Sequence, residues 1–313
     1  MVACSVIVLN HNGKHFLKDC LQSLRQQTCR DFEVVLVDNA SQDGSVEFTK
    51  NEFPDVRVLA LTENHGFCGG NNAGIRDALA RGSNSVLLLN NDTIAAPDFL
   101  EQMLQVLNNN PEAAVVCPKI FFAREPQLLW YAGAEFNIWT SRSRYTGWRE
   151  EDTGKYDDIR PITQATGCAM LVRTSAIRDV GLLNERYFVY VEDLEWSVRF
   201  SQHGYSLLYA PKAHLKHFDG GTNVRSGSEF RRQYLSTRNL LFLCWEQARW
   251  WQWPTYLLGF LVFHAGFYSA LRLKQRDYRA FWAIYRAIFD SLKSQSTSVT
   301  ISKERSQIAQ NPS

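Results

Sequence analysis

The sequence predicts an α/β fold whose first half is a mainly parallel sheet flanked by helices, and three observations predict it. Short β-branched runs alternate with amphipathic helical stretches from Ser5 to Leu89. The runs Val34-Val35-Leu36-Val37 and Val86-Leu87-Leu88-Leu89 are apolar at every position, as strands covered on both faces must be. Each strand-like run is followed by a loop crowded with Asn, Asp and Gly, and in such sheets ligands sit beyond the carboxyl ends of the strands.

In order, Ser5–Leu9 reads as a strand, Phe16–Gln26 as a helix with apolar residues at 17, 21 and 24, and Glu33–Val37 as a strand. Gly44–Asn51 is expected to be helical, Val56–Ala60 a strand, Asn71–Arg81 a helix and Ser85–Leu89 a strand. Further on, strands are expected near Ala114–Cys117, Glu135–Asn137, Ala169–Val172 and Ser206–Tyr209, with a helix over Asp193–His203. The Arg/Asp/Gly-rich stretch Thr140–Ile159 reads as a mobile loop. Helical patterns return at Phe230–Ala248, in the Trp/Phe/Leu-rich run Trp250–Leu271 and in the basic segment Arg272–Lys293. The implied domains are 1–228 (α/β), 229–293 (helical, aromatic and basic) and 294–313 (a disordered polar tail).

Composition narrows the function classes. Among 313 residues, 45% apolar and 21% charged, 34 Lys and Arg face 32 Asp and Glu. This lacks the global basic footprint of a nucleic-acid binder. The charge is divided unevenly: from Arg225 onward 13 basic residues meet 5 acidic ones, a net +8, which leaves −6 for the body. Seven cysteines without a C-x-x-C pair read as reduced thiols, and no secretory signal is read at the N-terminus, so the α/β part is expected in the cytosol.

Three acidic clusters stand out. Asp38 closes a buried strand and opens Asp-Asn-Ala-Ser-x-Asp-Gly, where its carboxylate suits either a ribose or base, or a helix N-cap. The first loop, Asn10-His11-Asn12-Gly13, lacks the G-x-G-x-x-G of a hydride-transfer enzyme. Asn90-Asn91-Asp92 offers oxygen ligands for Mg²⁺ or Mn²⁺, or else an Asx-turn. Glu192, Asp193 and Glu195 crowd a helix start, where acids favour the dipole and where one could act as general base. His214 and His217 follow downstream.

The ordered set Val6–Gly13, Val37–Ser45, Glu63–Ile75, Leu87–Thr93, Gly167–Arg173, Val180–Glu185 and Tyr190–Arg199 resembles the glycosyltransferase family 2 enzymes, in particular their rhamnosyltransferase-like branch. The resemblance spans roughly residues 3–240 and implies a GT-A fold and inverting transfer of a sugar from a nucleotide-diphosphate sugar to an acceptor hydroxyl. By position it implies a nucleotide-sugar pocket of Asn10, Asp38, Asn64, Gly66, Asn71 and Asn91. It implies a divalent cation (Mg²⁺ or Mn²⁺) on Asp92 and His217, with His214 the second choice. Asp193 is then the catalytic base, with Glu192 the alternative, and Glu192 and Trp196 shape the acceptor side. The family's Asp-x-Asp stands here as Asn90-Asn91-Asp92, a single carboxylate.

Trp250–Leu271 carries no formal charge and is flanked by Arg249 and Arg272. Beside it, apolar residues at 278, 281, 282, 285, 288, 289 and 292 form a stripe opposite Arg and Lys, as in a helix lying in an anionic leaflet. A peripheral or monotopic protein on the cytoplasmic face of the plasma membrane is expected, with a glycan or polyprenyl-linked glycan as acceptor. A single membrane span, a soluble packing face, a nucleotidyltransferase and a silent sugar-nucleotide binder are the competing readings.

Overall fold

The computed structural model describes residues 3–218 and 229–293. Its parallel half runs β1 (Cys4–Asn10), α1 (Lys14–Arg25), β2 (Phe32–Asn39), α2 (Ser45–Glu52), β3 (Arg57–Leu61), α3 (Gly66–Ala80) and β4 (Ser85–Asn90). Side by side the strands lie β4-β1-β2-β3, all parallel, with Asn10 opposite Asp38 and Leu9 opposite Asn90. That register brings the ends of three strands level, which gathers their loops at one edge. Val6, Ile7, Val8, Val35, Leu36 and Val37 are fully buried, as their unbroken apolar runs require.

The second half follows as β5 (Thr93–Ala95), α4 (Phe99–Asn109), β6 (Ala113–Phe122), β7 (Leu129–Tyr131), β8 (Ala134–Asn137), β9 (Arg142–Tyr145), β10 (Arg160–Ile162), β11 (Ala169–Arg173), α5 (Thr174–Val180), α6 (Glu192–Gln202) and β12 (Ser206–His217). β11 enters the sheet antiparallel between β4 and β6, and β12 runs parallel to β6 on its other side. The short β5 turns back to pair with the end of β12, Thr93 opposite His217.

Three elements of the α/β part differ from the sequence expectation. α3 starts at Gly66, earlier than expected, because its glycines allow the helix to lie on β1: a Cβ on Gly70 would stand 2.4 Å from Leu9 Cδ1. Close packing overrides the poor helix propensity of glycine. β12 continues past Tyr209 to His217, with a register shift between Ala210 and His214 that accommodates Pro211. The stretch Thr140–Ile159 is no free loop: it holds β9, and the buried Lys119 ammonium ties Asp152 (2.8 Å) and Asp157 (2.5 Å) to β6.

The described residues cluster into two compact units, one of 3–136 and 143–218, the other of 137–142 and 229–293. The second unit holds α7 (Glu229–Gln247), α8 (Trp253–Gly259), a π-helical turn (Phe260–Gly266), α9 (Phe267–Lys274) and a helix over 278–293. Instead of one helix through Arg272–Lys293, the chain breaks after Lys274, and Arg276 takes φ +58°. In the last helix Ala280, Ala283, Ile284 and Ala287 are buried, while Tyr278, Trp282, Tyr285, Phe289 and Leu292 are exposed. The helical stretch Trp250–Lys274 is long and apolar enough to cross a membrane by length and composition (mean hydropathy 1.3), yet 39% of its most apolar window is buried in the fold. The expected polar tail at 294–313 lies outside the described residues.

Candidate functional site

At the ends of β1, β2 and β4 the side chains form one relay. Asn91 Nδ2 donates to Asn10 Oδ1 (2.6 Å), and Asn10 Nδ2 donates to Asp38 Oδ1 (3.0 Å) and Ser41 Oγ (3.1 Å). Asp38 Oδ2 accepts from the Ser41 amide (2.9 Å). Each carboxylate oxygen of Asp38 thus takes one bond from the protein, which orients it and leaves lone-pair capacity for a ligand N–H or O–H. Gly13 has to be glycine, since a Cβ there would stand 2.2 Å from Asn91 Nδ2.

A second amide relay holds the next loop. Asn64 Oδ1 accepts from Asn39 Nδ2 (3.1 Å) and from the Gly66 amide (2.8 Å), and Asn39 Nδ2 also donates to the Gly66 carbonyl (2.9 Å). Gly66 sits at φ +71°, where a Cβ would meet the Phe188 carbonyl. Asn39 and Ser41 were not singled out in the sequence, although both adjoin Asp38. Asn71, expected in the pocket, is instead buried inside α3, its amide donating back to Phe67 O (3.0 Å), so it serves the helix.

The β5–β12 pairing gives the two histidines different surroundings. It sets His217 Nε2 3.3 Å from Asp92 Oδ1, and the Phe218 amide donates to the Asp92 carbonyl (2.9 Å). His214 is exposed and lies edge-on to Phe121. Asp92 and His217 are buried, and Asp92 Oδ1 and His217 Nδ1 have no hydrogen-bond partner among the described residues. Burial disfavours the imidazolium, but Cys168 and Asp92 beside it outweigh this and raise the pKa of His217 well above the ordinary value. A divalent cation entering here would displace the imidazolium proton, take the Asp92 oxygen and the freed imidazole nitrogen as ligands, and draw its other ligands from phosphate and water. Among the described residues no group of three or more His, Cys, Asp or Glu is placed to hold a metal by itself.

The three acids at the start of α6 have different environments. Glu195 is held by Arg199 through both oxygens (2.7 and 3.0 Å), and Arg199 also donates to the carbonyls of Val180 and Leu182. Asp193 is half-buried and accepts from the amides of Gly167 (2.8 Å) and Leu194 (2.7 Å). Burial pushes its carboxyl above the usual range, while those amides pull the other way. Glu192 is buried, its Oε2 has no hydrogen-bond partner among the described residues, and burial followed by the Asp193 charge raises its pKa well above a normal glutamate. Two adjacent carboxyls whose surroundings separate them in this way provide a neutral acid and a base. The turn before them carries Phe188, Tyr190 and Val191 at φ +63°, +72° and +71°. Left-handed backbone at non-glycine residues costs about 1–3 kcal/mol each and clusters at working sites.

Trp196 is not on the acceptor side. It is fully buried, donates from Nε1 to the Gly181 carbonyl (2.9 Å) and packs on Phe200, so it belongs to the core beneath α6.

A nucleotide-type sheet edge, an Asp–His pair fit for a cation and a raised carboxyl at one helix start together define a glycosyltransferase with a GT-A-like fold. The glycosyl transferase family 2 model matches residues 5–181, and the chain belongs to that family. It is 26% identical over 272 residues to the N-acetylglucosaminyl-diphospho-decaprenol L-rhamnosyltransferase of Mycobacterium tuberculosis (80% of this chain, 86% of the relative). It is 25% identical over 253 residues to a dTDP-rhamnosyl transferase of Shigella flexneri (76% and 78%). Among solved structures it resembles a Pyrobaculum calidifontis mannosyltransferase in complex with GDP-Man and Mn²⁺ (TM-score 0.57, 15% identity, 93% of this chain and 87% of that one). It also resembles GalNAc-T7 with UDP, GalNAc and Mn²⁺ (TM-score 0.56, 16% identity, 69% of this chain), of which it spans 43%. Family membership sets aside the nucleotidyltransferase reading.

Proposed function

We propose that this glycosyltransferase catalyses inverting transfer of a sugar, with dTDP-rhamnose as the first donor to test, to a hydroxyl of a glycan or polyprenyl-linked glycan in cell-surface polysaccharide synthesis. The observation that carries the reading is the gathering of the Asp38 relay, the Asp92–His217 pair and the Asp193 carboxyl in one α/β unit. The two rhamnosyltransferase relatives support the donor and the lipid-linked acceptor.

In this mechanism Asp38 and Asn10 hold the base or ribose, with Asn64, Gly66 and Asn91 lining the donor pocket. Asp92 and His217 would hold Mg²⁺ or Mn²⁺, which when bound offsets the charge of the diphosphate leaving group. The acceptor hydroxyl attacks the anomeric carbon from the face opposite the diphosphate, and its proton passes to a carboxylate oxygen of Asp193. The anomeric C–O bond to phosphate breaks and the nucleoside diphosphate leaves. Burial of Asp193 brings its basicity toward the working pH, which favours proton transfer. Glu192 stays neutral beside it.

The exposed rings of the second unit and the +8 charge from Arg225 onward support a monotopic position on the cytoplasmic face of the plasma membrane.

The test is nucleotide release from dTDP-rhamnose, UDP-galactose, UDP-glucose, UDP-N-acetylglucosamine and GDP-mannose, with Mn²⁺ and lipid extract. Asp193→Asn is expected to lower kcat by roughly 10²–10⁴-fold, and chelation to abolish turnover. The acid limb of the wild-type pH profile is expected above the ordinary aspartate range near about 3.9. Full activity of Asp193→Asn would remove the assigned base.

A further inference from the structure

The site has an aromatic wall that the nucleotide, cation and base do not use. β7 pairs with β6 at Ile120 and Phe121, while the end of β12 pairs with β6 on its other edge, and this sets Trp130 across from His217. The Trp130 ring meets the His217 ring edge-on, centroids 4.7 Å apart. Tyr145 and Trp148 close round it: Trp130–Trp148 is 5.9 Å, and Trp130–Tyr145 and Tyr145–Trp148 are each 6.4 Å. Trp148 leans on Phe122 and is 44% exposed, so the wall is open at that ring.

Two polar atoms at the wall lack partners among the described residues: the buried Trp130 Nε1, and Oε1 of Gln164, whose Nε2 donates to the Tyr145 hydroxyl (3.3 Å). An indole N–H normally finds an acceptor when buried, and an orphan in a native fold points to a missing group. The wall touches the cation pair at His217 and lies within electrostatic reach of the base. Tyr145 feels Asp193 and then Glu192 after its own burial. The sheet order also sets the wall to one side of the nucleotide loops: those follow β1, β2, β3 and β4, whereas β7 lies on β6, across β11 from β4.

Resting on the transferase reading above, we propose that Trp130, Tyr145 and Trp148 form the platform for the acceptor sugar, with the Trp130 N–H orienting one of its oxygens. A pyranose has an apolar C–H face that buries against an aromatic wall and a polar rim that needs few, placed partners. Such a platform fixes the acceptor hydroxyl between Asp193 and the anomeric carbon. Trp130 and Trp148 are positioning residues, since neither exchanges a proton or a bond.

The probe is N-acetylglucosaminyl diphosphate on a short alkyl chain, with dTDP-rhamnose and Mn²⁺. Trp148→Ala is expected to raise the acceptor KM roughly tenfold, with donor KM changed less than about twofold and Trp148→Phe largely restored. Trp130→Phe keeps the ring against His217 and removes only the N–H, and is expected to raise acceptor KM several-fold. Unchanged acceptor KM in both variants, or a rise in donor KM instead, would overturn the platform while leaving the transferase reading intact. Calorimetric titration of the probe, with dTDP and Mn²⁺ present, decides the case of a wild type without turnover. Binding that Trp148→Ala weakens sustains the platform and sinks the transfer chemistry, and absence of binding by the wild type removes both.

Discussion

Glu192 and Asp193 are neighbours on the chain, but the protein solvates them unequally. Asp193 takes the amides of Gly167 and Leu194, whereas the Glu192 Oε2 atom takes nothing from the described residues. The folded pKa of Glu192 is raised, so folding binds a proton there that the unfolded chain has released. Its contribution is therefore fully present below the unfolded value of about 4.3 and is lost as pH rises toward the folded one. Glu192→Gln removes that loss: its Tm is expected to match wild type near about pH 4 and to exceed it near about pH 8, by about 2–4 °C per kcal/mol relieved. Equal melting at both pH values would show that Glu192 is not held neutral by the fold. At this scale the sequence singled out Asp38, Asp92 and Asp193 because each closely follows an apolar run, and His217 only through the resemblance, by its spacing of 24 residues from Asp193. Trp196 misled because an aromatic beside acids looks the same from either side of a helix. Its spacing of four to Phe200, on a shared face, was the mark of a core stripe. Trp130 gave no such signal, since only sheet pairing brings it to His217, and Tyr145 joins it only through ring packing in the fold.

Gly259 in α8 shows how an element can be fixed by what touches it. A Cβ there would lie 2.1 Å from the Thr140 carbonyl oxygen, a backbone atom with little room to yield, and Arg142 covers the Phe263 ring one turn further on (5.1 Å). Glycine inside a helix ordinarily costs about 1 kcal/mol against alanine, whereas forcing a methyl into packed backbone costs about 1–3 kcal/mol. Packing is the larger effect, so Gly259→Ala is expected to lower the Tm by several degrees by calorimetry; a rise would mean that the hairpin tip does not bear on α8. The parallel strands were legible as elements because burial on both faces leaves no polar position to blur the run. β12 was read only as far as Tyr209 because Pro211 interrupts the pattern, and a β-bulge absorbing a proline has no periodicity to find. The start of α3 was missed for the converse reason: its glycines spell a loop until β1 is laid against them.

Across the whole chain, charge and apolar exposure are both concentrated toward the C-terminal side. Trp250 (74% exposed), Trp282 (65%) and Phe289 (57%) are large rings in water, each forgoing about 1.5–3 kcal/mol of burial. Immersed in a bilayer interface they recover it, and nearby Lys and Arg add up to about 1 kcal/mol each on an anionic leaflet. The full chain is expected to float with phosphatidylglycerol vesicles and less with phosphatidylcholine alone. Replacing the three rings together by serine is expected to cut partitioning by more than about tenfold. Undiminished flotation of that variant would place attachment elsewhere. The basic, aromatic segment was plain in the sequence, but its division at Arg276 and its buried alanine face were not, because alanine carries little periodic signal. The pairing of β5 with the end of β12 also bears on the order in which a growing chain becomes competent. The loops after β1, β2 and β3 can close as soon as the parallel strands have been synthesised. Asp92, made early, meets His217 only when β12 arrives, after α6 has delivered Asp193. On the roles proposed above, a nascent chain can cradle a nucleotide before it has the means to spend a sugar.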